Sequence, residues 1–236
     1  MRLNDRWLVG GALRYTNLDA DFSNGFGEGE GYTLAGYLSG FFDCGGYVDL
    51  VGRVGRLSSE VRADTLSTFG GVLTGDYDNN ALGLSIKTGY HWSINQTFYV
   101  EPQAQLAYSL VLGDDFQSQT NSVKIEQEDF ESLVGRLGAR LGASFNEGRG
   151  QVYVHGSVKL DFMGDADSTA TSKWGHSEKI HTDLGGTWMS YGFGAQFSLT
   201  NGLNFYGMLE RSSGSGYDED YRYSVGRRIG SKWGLG

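Results

Sequence analysis

The chain has one cysteine and one proline among 236 residues. A lone thiol, Cys44, excludes an internal disulfide and any multi-cysteine metal site. With Pro102 the only residue lacking a backbone donor, long strands can form with almost unbroken ladders. Nowhere does the chain approach the roughly 18 continuous apolar residues of a membrane helix. Basic residues are in deficit, 19 against 28 acidic, for a net charge of −9. That balance excludes a nucleic-acid role, because phosphate binding needs a basic surface. A Gly-rich phosphate loop between a strand and a helix is also missing, and the many Gly-x-Gly pairs read as strand glycines.

What is present is alternation. About ten segments alternate apolar with small or polar residues, joined by connections that are by turns very short and long. The short ones are 43–46, 93–96, 146–150 and 200–202; the long ones are roughly 16–30, 62–78, 113–130, 164–185 and 214–220. Successive antiparallel strands reverse direction, so this order places all tight turns at one rim and all long loops at the other, as in outer-membrane barrels. The same pattern runs from end to end, which predicts one domain over 1–226 followed by an atypical tail over 227–236. The fold predicted is all-β, an antiparallel up-and-down transmembrane β-barrel. Hydrophobic content of 39% suits it, since only the outward half of each strand must be apolar.

Side chains alternate with period two, so each strand can be split into faces. Leu82, Leu84 and Ile86 oppose Ser85 and Lys87. Val100, Pro102, Ala104 and Leu106 oppose Glu101, Gln103 and Gln105, while Leu133, Leu137 and Leu141 oppose Arg136 and Arg140. A soluble sandwich alternates too, so the decision rests on two other signs. Segments of about 10–15 residues exceed the five or six usual in soluble sheets and match a tilted crossing. Aromatics also fall in two rows: Trp7, Tyr47, Trp92, Phe98, Phe145, Tyr153 and Phe205 near the short turns, and Tyr15, Tyr32, Tyr108, Phe162, Trp188 and Tyr221 near the long loops. Two such rows predict interfacial girdles.

Candidate functional residues are those expected to face the pore: Arg14, Asp49, Arg53, Lys87, Glu101, Gln103, Gln105, Arg136, Arg140, Lys159, Asp161, Glu210 and Arg222. Buried charges need partners, so pairing among them is the first expectation. A hydrophilic conduit for a threaded peptide is the second. No catalytic set, metal site or cofactor is predicted. His155 with Ser157 and Asp161 is the arrangement any wet strand face supplies, and His176 and His181 with Asp165, Asp167 and Glu178 match no ligand spacing. The rival functional classes are a barrel enzyme (protease or lipase) and a surface adhesin or porin.

Several segments carry a family resemblance. Arg6-Trp7-Leu8-Val9-Gly10-Gly11-Ala12-Leu13, Gly46-Tyr47-Val48-Asp49 through Arg53-Val54-Gly55-Arg56, Leu133-Val134-Gly135-Arg136-Leu137-Gly138 and Tyr221-Arg222-Tyr223-Ser224-Val225-Gly226 resemble the translocator barrel of classical type V autotransporters, the pertactin and AIDA-type branch. The run Val100-Glu101-Pro102-Gln103-Ala104-Gln105 is the most specific of them. The resemblance implies a barrel of twelve strands, of which about ten are present here, inserted in the bacterial outer membrane by the barrel-assembly machinery. It also implies a passenger polypeptide exported through that membrane. Against that pattern the chain opens at what reads as the third strand and ends without the terminal aromatic, with Arg227 on the outward row. The expectation is a fragment or remnant of a larger product, with edges at 7–15 and 221–226.

Overall fold

The computed structural model describes residues 2–22, 24–65, 71–118, 123–172, 174–199, 203–215 and 217–229. The predicted turn at 200–202, the loop centres near Gly70 and Gln119, and the tail from 230 onward lie outside the described residues. Every described element is a strand or a turn. Ten are long: β1 (Trp7–Phe22), β2 (Gly25–Phe41), β3 (Gly46–Thr65), β4 (Gly71–Tyr90), β6 (Phe98–Val111), β9 (Phe130–Phe145), β10 (Gly150–Asp161), β13 (Gly186–Ser198), β14 (Leu203–Gly214) and β15 (Glu219–Ile229). Five are short: β5 (Trp92–Ser93), β7 (Phe116–Gln117), β8 (Lys124–Gln127), β11 (Asp165–Thr171) and β12 (Ser177–Asp183).

The long strands form one antiparallel sheet in the order β1-β2-β3-β4-β6-β9-β10-β13-β14-β15, each beside its neighbour in the chain. Among the described residues β1 pairs only with β2 and β15 only with β14. The sheet is nonetheless strongly curled, because Leu8 of β1 and Gln196 of β13, strands far apart in the sheet order, line one cavity of about 720 Å³. The outer, convex face is apolar and bare: Leu13 is 77% exposed, Leu137 69% and Val225 85%. The inner face buries polar groups, among them Glu101, Gln103, His155, Ser157, Ser190 and Glu210. That inversion of the soluble pattern is what a membrane-spanning barrel requires.

Local chemistry makes the tight turns. Asn146, Glu147 and Gly148 take positive φ in succession, 54°, 57° and 81°, and Arg149 N–H closes onto Asn146 O at 3.1 Å. Gly45 sits at φ 95°, where a Cβ would also lie 2.8 Å from His91 O. Asn95 turns the chain into β6 by accepting the Thr97 and Phe98 N–H groups at 2.8 and 2.7 Å, as an Asx turn does. Between β4 and β5 the ladder is interrupted at His91, beside the stretch of β6 where Pro102 has no N–H to give. His91 N–H donates instead to Gly45 O at 2.8 Å.

Two sequence expectations need correction. The long connections are mostly not loops. Strands β1 and β2 run through nearly all of 16–30, β3 and β4 through most of 62–78, and 113–130 with 164–185 build a second sheet in the order β12-β11-β8-β7. Runs such as Gly27-Glu28-Gly29-Glu30-Gly31 signal turns locally, yet pairing with both neighbours keeps them extended. One result is a row of directly opposed carboxylates, Asp19, Glu28, Glu60 and Asp76, on the outer face of the extension. The second correction concerns the rings. Tyr47, Tyr153 and Trp188 have inward parity and do not belong to the girdles. Tyr47 reaches Glu101, Tyr153 lies under Arg140, and Lys159 stands over Trp188.

Leu137→Arg places a charge on the bare outer face, at a cost of about 2–4 kcal/mol near the bilayer midplane. Urea titration of protein folded into lipid vesicles should show a loss of that size. Unchanged stability would mean that Leu137 does not face lipid.

Candidate functional site

The inner-face chemistry follows from parity and register. Pairing of β6, β9, β10, β13, β14 and β15 sets Glu101, Arg140, His155, Gly192, Glu210 and Arg222 in one transverse row. Two bases, Arg140 and His155, stand side by side between the acids Glu101 and Glu210, and both carboxylates find partners in the row or beside it. Tyr47 Oη–H donates to Glu101 Oε1 at 2.8 Å and Gln103 Nε2 at 2.6 Å. Arg140 Nη1 lies 3.9 Å from the same carboxylate and His91 Nδ1 3.5 Å from its other oxygen. The Arg140 guanidinium also covers the Tyr153 ring, 4.1 Å from its centroid. At the far end of the row, His155 Nε2 is 2.9 Å and Lys159 Nζ 3.8 Å from Glu210. His155 and Glu210 are both buried, so removing His155 takes from the Glu210 carboxylate its nearest partner and leaves it with Lys159 at 3.8 Å.

A second transverse row runs Asp49, Lys87, Gln105, Arg136, Lys159 and Trp188. Here bases outnumber acids, and Arg136 stands directly across from Lys159. Lys87 lies 5.4 Å from the Tyr47 ring centroid. The Arg136 Nε is buried without a hydrogen-bond partner.

The remaining predicted residues divide. Arg53 donates to Ser109 Oγ at 3.0 Å and lies over Gly83. Asp161 is a local cap, accepting Ser132 Oγ–H at 2.6 Å and the Leu133 and Met163 N–H groups at 3.1 Å. Arg222, although registered opposite Glu210, turns to Glu219 at 3.0 Å and to Tyr217 Oη at 2.9 Å. Arg14 stands exposed on β1. His155, Ser157 and Asp161 share the inner face of β10 without contacting one another: His155 is on Glu210, Asp161 is on Ser132, and the Ser157 Oγ has no partner.

Sequence reasoning missed the tyrosines of this site. Tyr37, Tyr47, Tyr99, Tyr153 and Tyr206 each stand directly opposite a glycine of an adjacent strand: Gly10, Gly89, Gly142, Gly194 and Gly226. In every case the ring lies where that glycine's Cβ would be. Parity alone could have found them, since all five share the inward face with the charges.

Outside the barrel, β12-β11-β8-β7 carries an ionic cluster. His181 Nδ1 is 2.6 Å and Lys179 Nζ 3.0 Å from the Asp167 carboxylate, with Glu128 3.4 Å from Lys179 and Asp165 4.0 Å from His181. Hydrogen bonding to Asp167 raises the His181 pKa, and hydrogen bonds from His181 and Lys179 lower that of Asp167. Among the described residues no three His, Cys, Asp or Glu side chains converge as a metal-holding group.

Comparison with known proteins matches residues 1–210 to the family described as the autotransporter beta-domain. Among curated relatives, the pertactin autotransporter of Bordetella parapertussis is 29% identical over 230 residues, covering 94% of this chain and 24% of the relative. The chain thus spans about a quarter of that relative's length. Two solved structures share the fold. The crystal structure of the beta domain of the Bordetella autotransporter BrkA superposes with TM-score 0.72 at 24% identity, covering 95% of this chain and 84% of that one. The translocator domain of the autotransporter NalP from Neisseria meningitidis gives 0.73 at 15%, covering 95% and 74%.

The ionic cluster predicts a pH window for the β11–β12 hairpin. A raised His181 pKa contributes stability that is full below the ordinary value of 6.5 and lost as pH rises through the folded-state value. A lowered Asp167 pKa contributes stability present above 3.8 and lost as pH falls through its folded-state value. Amide exchange in 165–183, corrected for intrinsic rates, should be slowest between those limits and quicken above neutrality. His181→Asn should flatten the upper limb, and a limb that survives it would assign the dependence to another group.

Proposed function

The chain belongs to the autotransporter beta-domain family, and from that premise we propose that this barrel exports and anchors a passenger polypeptide attached ahead of Met1. It is an outer-membrane barrel domain of the type V secretion class. What supports export through its interior is the inner face, where Glu101, Arg140, His155 and Glu210 form a polar wall behind an exterior band of exposed apolar side chains. A chain threading that wall keeps its backbone away from hydrocarbon, where each unsatisfied group costs several kcal/mol. Asp49, Arg53, Lys87, Gln103, Gln105, Arg136 and Lys159 complete the lining, while Asp161 and Arg222 brace the strand ends. In this reading the β-domain itself performs no catalysis.

Orientation follows from the rims. The tight turns at Gly45, Asn95 and Gly148 face the periplasm, and the β12-β11-β8-β7 sheet stands outside the cell. Insertion of so long a curled sheet calls on the barrel-assembly machinery, the other partner of the proposal.

The test is surface display. An epitope-tagged reporter preceded by a secretion signal is fused ahead of Met1, and cells are probed with antibody before and after protease shaving. The tag should be accessible on intact cells and lost on shaving. A tag confined to the periplasm, beside a barrel that is heat-modifiable in purified outer membranes, would refute export by this chain.

A further inference from the structure

The cavity at the tight-turn end of the lumen combines uncovered rings, amides and balanced charge. It measures about 720 Å³, within the roughly 300–1,000 Å³ of small-molecule sites. Leu8, Tyr37, Phe41 and Phe42 line it beside the turn at Gly45. Phe41 has inward parity, opposite Tyr47 of β3. The two phenylalanines keep 50% and 44% of their surface uncovered, although they stand on the otherwise polar side of the sheet. Strands far along the sheet add amides, Gln151 of β10 and Gln196 of β13, and β6 adds Gln105. Gln196 Nε2 donates to Gln151 Oε1 at 2.8 Å, which leaves the Gln151 amino group and the Gln196 carbonyl outside that bond.

The charged groups of this cavity cancel. Asp49 stands directly opposite Lys87, and Glu101 lies 3.9 Å from Arg140 and 3.5 Å from His91. With His91 neutral, two acids meet two bases, so the lining carries no net charge in a chain whose total is −9. A charged solute finds no net attraction there to offset the loss of its own water. A purely apolar solute would strip water from the polar groups and return no hydrogen bonds.

We propose that this cavity is a binding site for a neutral oligosaccharide. A pyranose presents an apolar C–H face and a rim of hydroxyl groups, so one molecule covers a ring and bonds to polar groups at the same time. Phe41 and Phe42 supply the rings, Gln151 and Gln196 supply amide donors and acceptors, and the Asp49–Lys87 pair supplies one of each as charged groups. A hydroxyl both donates and accepts, so it enters such a pair without upsetting its balance. The site belongs to the lumen with no chain threaded, and it stands apart from export.

The experiment titrates the refolded chain, in a zwitterionic detergent without a sugar head group, with maltohexaose and chitohexaose, and with hexagalacturonate as the anionic counterpart. Calorimetry should show binding of a neutral sugar. Phe41→Ala and Gln151→Ala/Gln196→Ala should each weaken it by about fivefold, the loss expected for one stacked ring or for the hydrogen bonds of the amide pair. Trp174→Ala, which removes an exposed ring between β11 and β12, should leave it unchanged. Binding of neither neutral sugar, equal affinity in all variants, or tighter binding of hexagalacturonate overturns the proposal. Hydroxyl-radical footprinting of the unsubstituted protein covers the case in which the cavity variants do not fold. The bound sugar should protect Phe41 and Phe42 and leave Trp174 open, and protection of none or of all three overturns the site.

Discussion

Pairing of the backbone governs everything else in this molecule. In a membrane an unpaired N–H or C=O has no water to turn to, so the chain is committed to one continuous ladder. The ladder's register then decides which side chains meet. A shift of one residue would turn every inner group to the outside. The five tyrosines seated on glycines show how tightly it is specified: a ring such as Tyr99 can lie flat against β9 only where Gly142 leaves the space. Because the same register brings Glu101 opposite Arg140 and Arg140 opposite His155, the electrostatics of the interior is a product of the ladder.

Much of this was legible in the sequence. Alternation revealed the ten long strands, the faces of β6 and β9, and the tight turns at Gly45, Asn95 and Gly148, because period-two patterning and turn chemistry are local. Row assignment was less accessible. That Glu210 would meet His155 depends on the registers of two hairpins in succession, which no local pattern contains. The extended stretches beyond the girdles were misread for a related reason. Gly27, Gly29 and Gly31 favour turns in isolation, and only pairing on both sides holds them straight. The rings Tyr47, Tyr153 and Trp188 were placed by height along the strand when parity should have placed them.

Charge is sorted by location. Acids concentrate above the girdles, where the row Asp19, Glu28, Glu60 and Asp76 stands in water and its repulsion is screened. Paired charges occupy the row through Glu101 and Glu210, where burial makes compensation necessary. Cations in excess of acids remain in one inner strip. The outer sheet is tied by exposed pairs such as Lys179 with Glu128, which are individually worth little.

Nearest-neighbour order along the sheet has a kinetic meaning. Each long strand is bonded to the long strand before it and the one after it, with only short excursions between β4 and β6, β6 and β9, and β10 and β13. Loop closure at every step therefore spans a short stretch of chain, which keeps its entropic cost low and each addition fast. Such a sheet can grow from either end like a zipper. At every stage its growing edge offers the register for the next strand, so template and product are the same surface.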